Sequence, residues 1–156
     1  LSPVIVDSGV SYKEISIYDS HACGITAAND LKCWGGNYSS QIGDGTWTNR
    51  TTPVSIDSGV KYNSISVGYM HSCGVTDTKT LKCWGGNSSY QLGDGSKSSR
   101  SIPAVTDGSE RYISVNARSY ATCAITENNK LKCWGNNADG QLGLGAIVGY
   151  PATIDF

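Results

Sequence analysis

Over short stretches the chain alternates between apolar and polar residues with a period of two. Tyr62-Asn-Ser-Ile-Ser-Val67 places β-branched residues on alternate positions and predicts a half-buried strand. The runs Cys73-Gly-Val-Thr76 and Leu81-Lys-Cys-Trp84 flank the polar turn Asp77-Thr-Lys-Thr80 and predict a hairpin. A proline-led run, Val54 to Asp57, comes before them and predicts one more strand. A segment rich in Gly, Asn and Ser follows, ending in Gln91-Leu-Gly-Asp-Gly95. No apolar pattern with three-four spacing is long enough for a helix, so the predicted fold is all-β.

The pattern recurs every fifty residues. Pro3, Pro53 and Pro103 keep that spacing, as do Trp34, Trp84 and Trp134, and Gln41, Gln91 and Gln141. The chain therefore divides into repeats at 3–52, 53–102 and 103–150, with a closing strand at 151–156. Pro151-Ala-Thr-Ile-Asp155 matches Pro53-Val-Ser-Ile-Asp57, so the proline-led strand occurs four times and everything else three times. If that strand completes the sheet before it, the copy at Val4 is left over. An unpaired strand is an open hydrogen-bonding edge, and this one is expected to pair with a preceding sheet or with another subunit.

Composition narrows the function classes. The 156 residues carry a net charge of −1, with 16% charged and 38% hydrophobic positions. That balance argues against nucleic-acid binding, which depends on Lys and Arg neutralising phosphates. It supplies no polybasic membrane patch, and no apolar stretch nears the roughly 20 residues of a membrane span.

Six cysteines fall in three C-x9-C pairs: Cys23 with Cys33, Cys73 with Cys83, and Cys123 with Cys133. Each pair flanks the predicted hairpin, where directly opposed Cβ atoms lie within disulfide reach. Zinc is the rival reading, but it favours short-spaced pairs converging on one point. Disulfides imply a secreted, periplasmic or cell-surface location. Asn37, Asn49 and Asn87 begin N-x-S/T sequons and would be glycosylation acceptors in a eukaryotic secretory pathway.

The run His71-Ser-Cys-Gly-Val-Thr, then Leu81-Lys-Cys-Trp-Gly-Gly-Asn, then Gln91-Leu-Gly-Asp-Gly resembles the repeat of the regulator-of-chromosome-condensation family. The resemblance spans essentially the whole chain and implies four-stranded blades around an axis. The expected architecture is three propeller-type blades, forming a partial or oligomer-completed β-propeller. The Cys-paired, low-charge form resembles the variety in exported bacterial proteins. The third copy departs from the pattern at Ala121, Ala124 and Leu144, which stand where the second has His71, Gly74 and Asp94. Guanine-nucleotide exchange, the activity of the family's nuclear founder, depends on loops specific to that member and is not carried over.

His21 and His71 sit two residues before a cysteine and are expected to bond to a neighbouring blade. Trp34, Trp84 and Trp134 recur in register and are expected to pack blades together. Trp47 does not recur, since the second repeat has Lys97 there, and an unrepeated aromatic on a loop suits recognition. Tyr38 and Tyr90 also fall where the copies differ and complete the candidate binding set. The Gly43-Asp-Gly45 and Gly93-Asp-Gly95 turns lack the closely spaced acids of a calcium loop. No phosphate loop, nucleophile elbow or carboxylate pair is recognisable, so no catalytic residue, metal or cofactor is expected.

The leading expectation is an extracellular recognition or adhesion module, not an enzyme, that takes a protein or glycan ligand at a surface. The alternative is a self-assembling, homo-oligomeric subunit of a surface fibre or ring. A regulator of a small GTPase is the remote third. Neither nucleic acid nor membrane insertion is expected.

Overall fold

Alternating residues and tight polar turns fold into twelve short strands. The computed structural model describes residues 2–145 and 148–154. In chain order the strands are β1 (Tyr12–Tyr18), β2 (His21–Thr26), β3 (Leu31–Gly35), β4 (Arg50–Ile56), β5 (Tyr62–Val67), β6 (His71–Thr76), β7 (Leu81–Gly85), β8 (Arg100–Val105), β9 (Tyr112–Arg118), β10 (Ala121–Thr126), β11 (Leu131–Gly135) and β12 (Val148–Thr153). They form three antiparallel sheets, ordered β1-β2-β3-β4, β5-β6-β7-β8 and β9-β10-β11-β12. Each sheet is a propeller blade, and the three make an open, partial propeller.

The first strands of the blades lie side by side along the inner edge, with β1 against β5 and β5 against β9. Blades 1 and 3 approach each other there: the Arg118 guanidinium sits 5.8 Å from the centre of the Tyr18 ring. The proline-led strands β4, β8 and β12 form the outer edges. A residue without an N–H donor suits an edge that needs no further ladder.

A proline-led strand therefore closes the blade before it, and a repeat read from proline to proline straddles two blades. The first copy corrects the expectation of a strand at Val4 to Asp7: these residues join no ladder, and Val4, Ile5 and Val6 are exposed. Asp7 still anchors the entry, accepting hydrogen bonds from the Tyr12 hydroxyl at 2.7 Å and Lys32 Nζ at 2.8 Å. Asp57 and Asp107 repeat this with Tyr62 and Lys82, and with Tyr112 and Lys132.

The cysteines stand directly opposite one another in the β2–β3, β6–β7 and β10–β11 ladders. Disulfides join Cys23 to Cys33, Cys73 to Cys83 and Cys123 to Cys133. Closing a loop this short contributes roughly 2–3 kcal/mol in the chain-entropy view.

The core lies between blades, not within them. Cys23, Ile25, Leu31 and Ile42 of blade 1 pack on Tyr62, Ile65, Val67 and Trp84 of blade 2. Cys73, Val75, Leu81 and Leu92 pack in turn on Tyr112, Val115, Ala124 and Trp134 of blade 3. A single blade cannot bury its apolar faces alone, so stability here belongs to the junctions.

Candidate functional site

The loop between β3 and β4 carries two of the three aromatic candidates, and its shape rests on one buried amide. Asn37 Oδ1 accepts from the Ile42 N–H at 3.0 Å, while Nδ2 donates to the carbonyls of Thr46 at 3.0 Å and Thr48 at 3.1 Å. Asn49 Oδ1 accepts from the Asn37 N–H at 2.8 Å and closes the ring of bonds. Asp44 holds the far side, accepting from the Thr46 N–H and hydroxyl and from Arg50. Burial alone would raise the Asp44 carboxyl, but these donors outweigh it and hold the group below the usual carboxylate range.

The loop is also clamped to blade 2. The Gln41 carbonyl accepts from the Ser72 hydroxyl at 2.8 Å and from Trp84 Nε1 at 3.0 Å. Gly43 makes the close approach possible, because a Cβ there would meet the Trp84 indole at 2.5 Å. Its φ of 85° also favours glycine.

From this frame Tyr38 and Trp47 project outward, 73% and 62% exposed. Asn49 Nδ2 donates to the Tyr38 hydroxyl at 3.2 Å and ties that side chain to the loop. The structure adds a neighbour that sequence reasoning missed. Ile102, exposed on β8 of the next blade, lies beside Gly45, whose N–H donates to the Ser101 carbonyl at 2.9 Å. A cleft of about 270 Å³ runs beneath, lined by Gly43, Asp44, Ser55, Asp57, Ile102 and Pro103. The one signal for Ile102 was a departure between copies, since Thr52 stands at the equivalent position.

Tyr90 is elsewhere and plays a different part. It is half-buried, its ring packs against Gly149 of β12, and Lys97 Nζ lies 4.9 Å from its centre. Two sequon assignments need correction. Asn37 and Asn87 are buried and spend their amides on the loop frames, leaving no nitrogen for a glycan. Asn49 is exposed.

The repeated residues sit at blade junctions. His21 Nε2 pairs with the Ser72 hydroxyl and His71 Nε2 with the Thr122 hydroxyl, both at 2.9 Å. Burial lowers the His21 pKa to about 4 and, with added repulsion from His21, the His71 pKa to about 3. Trp84 and Trp134 are wholly buried between blades, whereas Trp34 is half-exposed with its ring edge-on to Tyr12 at 6.2 Å.

The family model for the regulator of chromosome condensation (RCC1) repeat matches residues 12–41, 62–91 and 113–141. Those segments run from the inner strand of each blade to the glutamine of its loop. The chain belongs to the RCC1 repeat family. No curated protein matches it in sequence. Among solved structures, human WBSCR16 is similar over 95% of this chain and 39% of its own, at 16% identity and a TM-score of 0.84. Prp20p of Saccharomyces cerevisiae, a protein with binding properties toward Gsp1p and histones, gives 22% identity and a TM-score of 0.83, covering 93% of this chain and 38% of its own. The CRINKLY WD40 ectodomain of the Arabidopsis thaliana receptor kinase ACR4 gives 23% identity and 0.60, covering 88% and 45%. These likenesses establish the blade fold. This RCC1-repeat chain spans less than half the length of each.

Proposed function

We propose that this RCC1-repeat chain is an extracytoplasmic recognition module, not a catalyst, whose blade-1 loop engages a protein or glycan ligand at a surface. The observation that carries the reading is the pair Tyr38 and Trp47, exposed on a loop whose polar groups are satisfied from within. Such a pair offers large apolar area with polar tips and little ordering cost on binding. Exposed Ile102 enlarges the apolar surface, and the neighbouring cleft adds the polar groups of Asp44, Ser55 and Asp57. Three disulfides support an oxidising compartment.

Binding by likenesses of the same fold supports protein recognition in general, since Prp20p binds Gsp1p and histones. A role as regulator of a small GTPase draws on membership of the RCC1 repeat family and on that likeness, and at 22% identity it is the weaker reading. The test is direct binding of the full oxidised chain to intact cells, to a glycan array and to Gsp1p. Saturable binding to cells or glycans supports surface recognition. Binding to Gsp1p alone would favour the regulator, and binding to none would remove the recognition reading.

A further inference from the structure

The loop that displays Tyr38 and Trp47 carries no net charge. Between residues 36 and 50 the charged side chains are Asp44 and Arg50, and they pair with each other. The exposed side chains of the loop are Tyr38, Trp47, Thr48 and Asn49, all uncharged. The cleft beneath is balanced in the same way, since Asp57 pairs with Lys82. Its hydrogen-bonding capacity is not used up. Asp57 Oδ2 takes both the Tyr62 hydroxyl and Lys82 Nζ, so Oδ1 has no partner among the described residues. The Ser55 hydroxyl, which also lines the cleft, bonds to no described residue.

The equivalent loop of blade 2 provides the contrast. Its exposed side chains are Ser88, Lys97, Ser98, Ser99 and Arg100, two of them cationic. Lys97 and Arg100 against Asp94 leave residues 86–100 with one positive charge. Positions 88 and 97 are exposed with blades 1 and 3 on either side, so a flanking blade does not cover this part of a loop.

Charge and size together select the ligand. Carboxylated and sulfated chains are gripped by Lys and Arg, and the blade-1 loop offers no unpaired cation. A standard protein interface takes about 20–30 residues a side. The uncharged display here is four side chains, joined by Ile102 from the next blade. A neutral sugar fits both limits. Its hydroxyls exchange hydrogen bonds with hydroxyl and amide groups, and its C–H faces lie on the negative face of an aromatic ring.

We propose that the blade-1 loop binds a neutral glycan, with Trp47 as the platform for one sugar ring. The Tyr38 hydroxyl, Thr48 and Asn49 bond that sugar's hydroxyls, and the cleft takes an adjoining sugar through Asp57 and Ser55. This assignment rests on the recognition role proposed above and names its ligand.

The experiment places the full oxidised chain on an array of neutral, sialylated and sulfated glycans. The same chain is added to intact cells treated with protease, or with periodate, which cleaves the vicinal diols of sugars. Neutral members alone should be bound, and affinity should change less than about twofold between low and high salt, because no net charge is there to screen. Cell binding should survive protease and be lost after periodate. Trp47→Phe keeps a ring and should bind within about fivefold of wild type, whereas Trp47→Lys should lose at least about tenfold while melting like wild type. Binding led by sialylated or sulfated members, or a fall of about tenfold in high salt, would overturn the assignment. Cell binding lost to protease, spared by periodate and abolished by Tyr38→Ala with Trp47→Ala would also overturn it, but would leave the loop as a site for a protein. Cell binding untouched by that double variant would remove the loop reading itself, and binding to neither cells nor glycans would remove both.

Discussion

The loops at 36–50 and 86–100 have one skeleton and two surfaces. Asn87 repeats the bonds of Asn37, accepting from the Leu92 N–H at 3.0 Å and donating to the Ser96 and Ser98 carbonyls at 2.8 and 3.2 Å. Asp94 repeats Asp44, held by Ser96 and Arg100 and likewise kept below the usual carboxylate range. Where the first loop displays Tyr38 and Trp47, the second has Ser88 and Lys97. The skeleton is therefore a scaffold property and the display is local. Selection can change one without touching the other, because the buried amide and the carboxylate carry the shape.

Blade 3 marks the limit of that skeleton. Asn137 still accepts from the Leu142 N–H at 2.9 Å and donates to the Leu144 carbonyl. Leu144 replaces the aspartate, and by ladder register Val148 takes the position of its arginine partner. Both members of that ion pair have been lost together, as expected when neither is useful alone.

The largest effect on the comparison should come from the buried amides. Asn37→Ala leaves two carbonyls and the Ile42 N–H without partners and should cost about 2–3 kcal/mol in denaturant unfolding. Asn87→Ala should cost a similar amount. Only the first should abolish surface binding, and equal loss from both would show that overall stability, not the blade-1 loop, governs recognition.

Acid should weaken the junctions more than the loops. Both histidines have folded pKa values below the ordinary ~6.5, so the unfolded chain binds more protons once the pH drops under that value. Their stabilisation is complete above about pH 6.5 and is lost as the pH falls toward about 4 for His21 and about 3 for His71. The loop carboxylates add their own loss only below about pH 4. Melting temperature against pH should therefore decline in two stages, and His21→Gln with His71→Gln should flatten the upper one.

A smaller effect is expected at the partly exposed Asp44–Arg50 pair. Arg50→Ala should cost less than about 1 kcal/mol, because such pairs are screened by water. Its effect on binding should stay within about fivefold, the equivalent of 1 kcal/mol. The smallest stability change should follow Ser88→Tyr with Lys97→Trp, which places the blade-1 display on the blade-2 frame. A shift beyond about 0.5 kcal/mol would mean that display and frame are coupled after all.

Much of this was legible because a repeat turns spacing into structure. Fixed intervals between Pro, Cys, Trp and Gln located the blades, and the hairpin pattern placed each pair of cysteines across a ladder. Four copies of the proline-led strand against three of everything else raised the reading that each closes the sheet before it. Only the ladders decide it, since pairing partners leave no mark on a local pattern. Asn37 and Asn87 were misread because a sequon and a loop-clasping amide have the same local sequence. Only burial separates them. Ile102 escaped because it joins the site from another blade, more than fifty residues beyond the loop it flanks. Tyr90 differed between copies for a packing reason, as a ring that fills space against Gly149.

The most direct test is binding of the Tyr38→Ala, Trp47→Ala variant to intact cells and a glycan array, beside the wild-type chain. Both side chains are exposed, so the variant should melt within a degree or two of wild type, as is usual for surface substitutions. Binding should fall at least about tenfold, as expected when anchoring aromatics are removed. Unchanged binding at equal stability would contradict the account and move recognition away from the blade-1 loop.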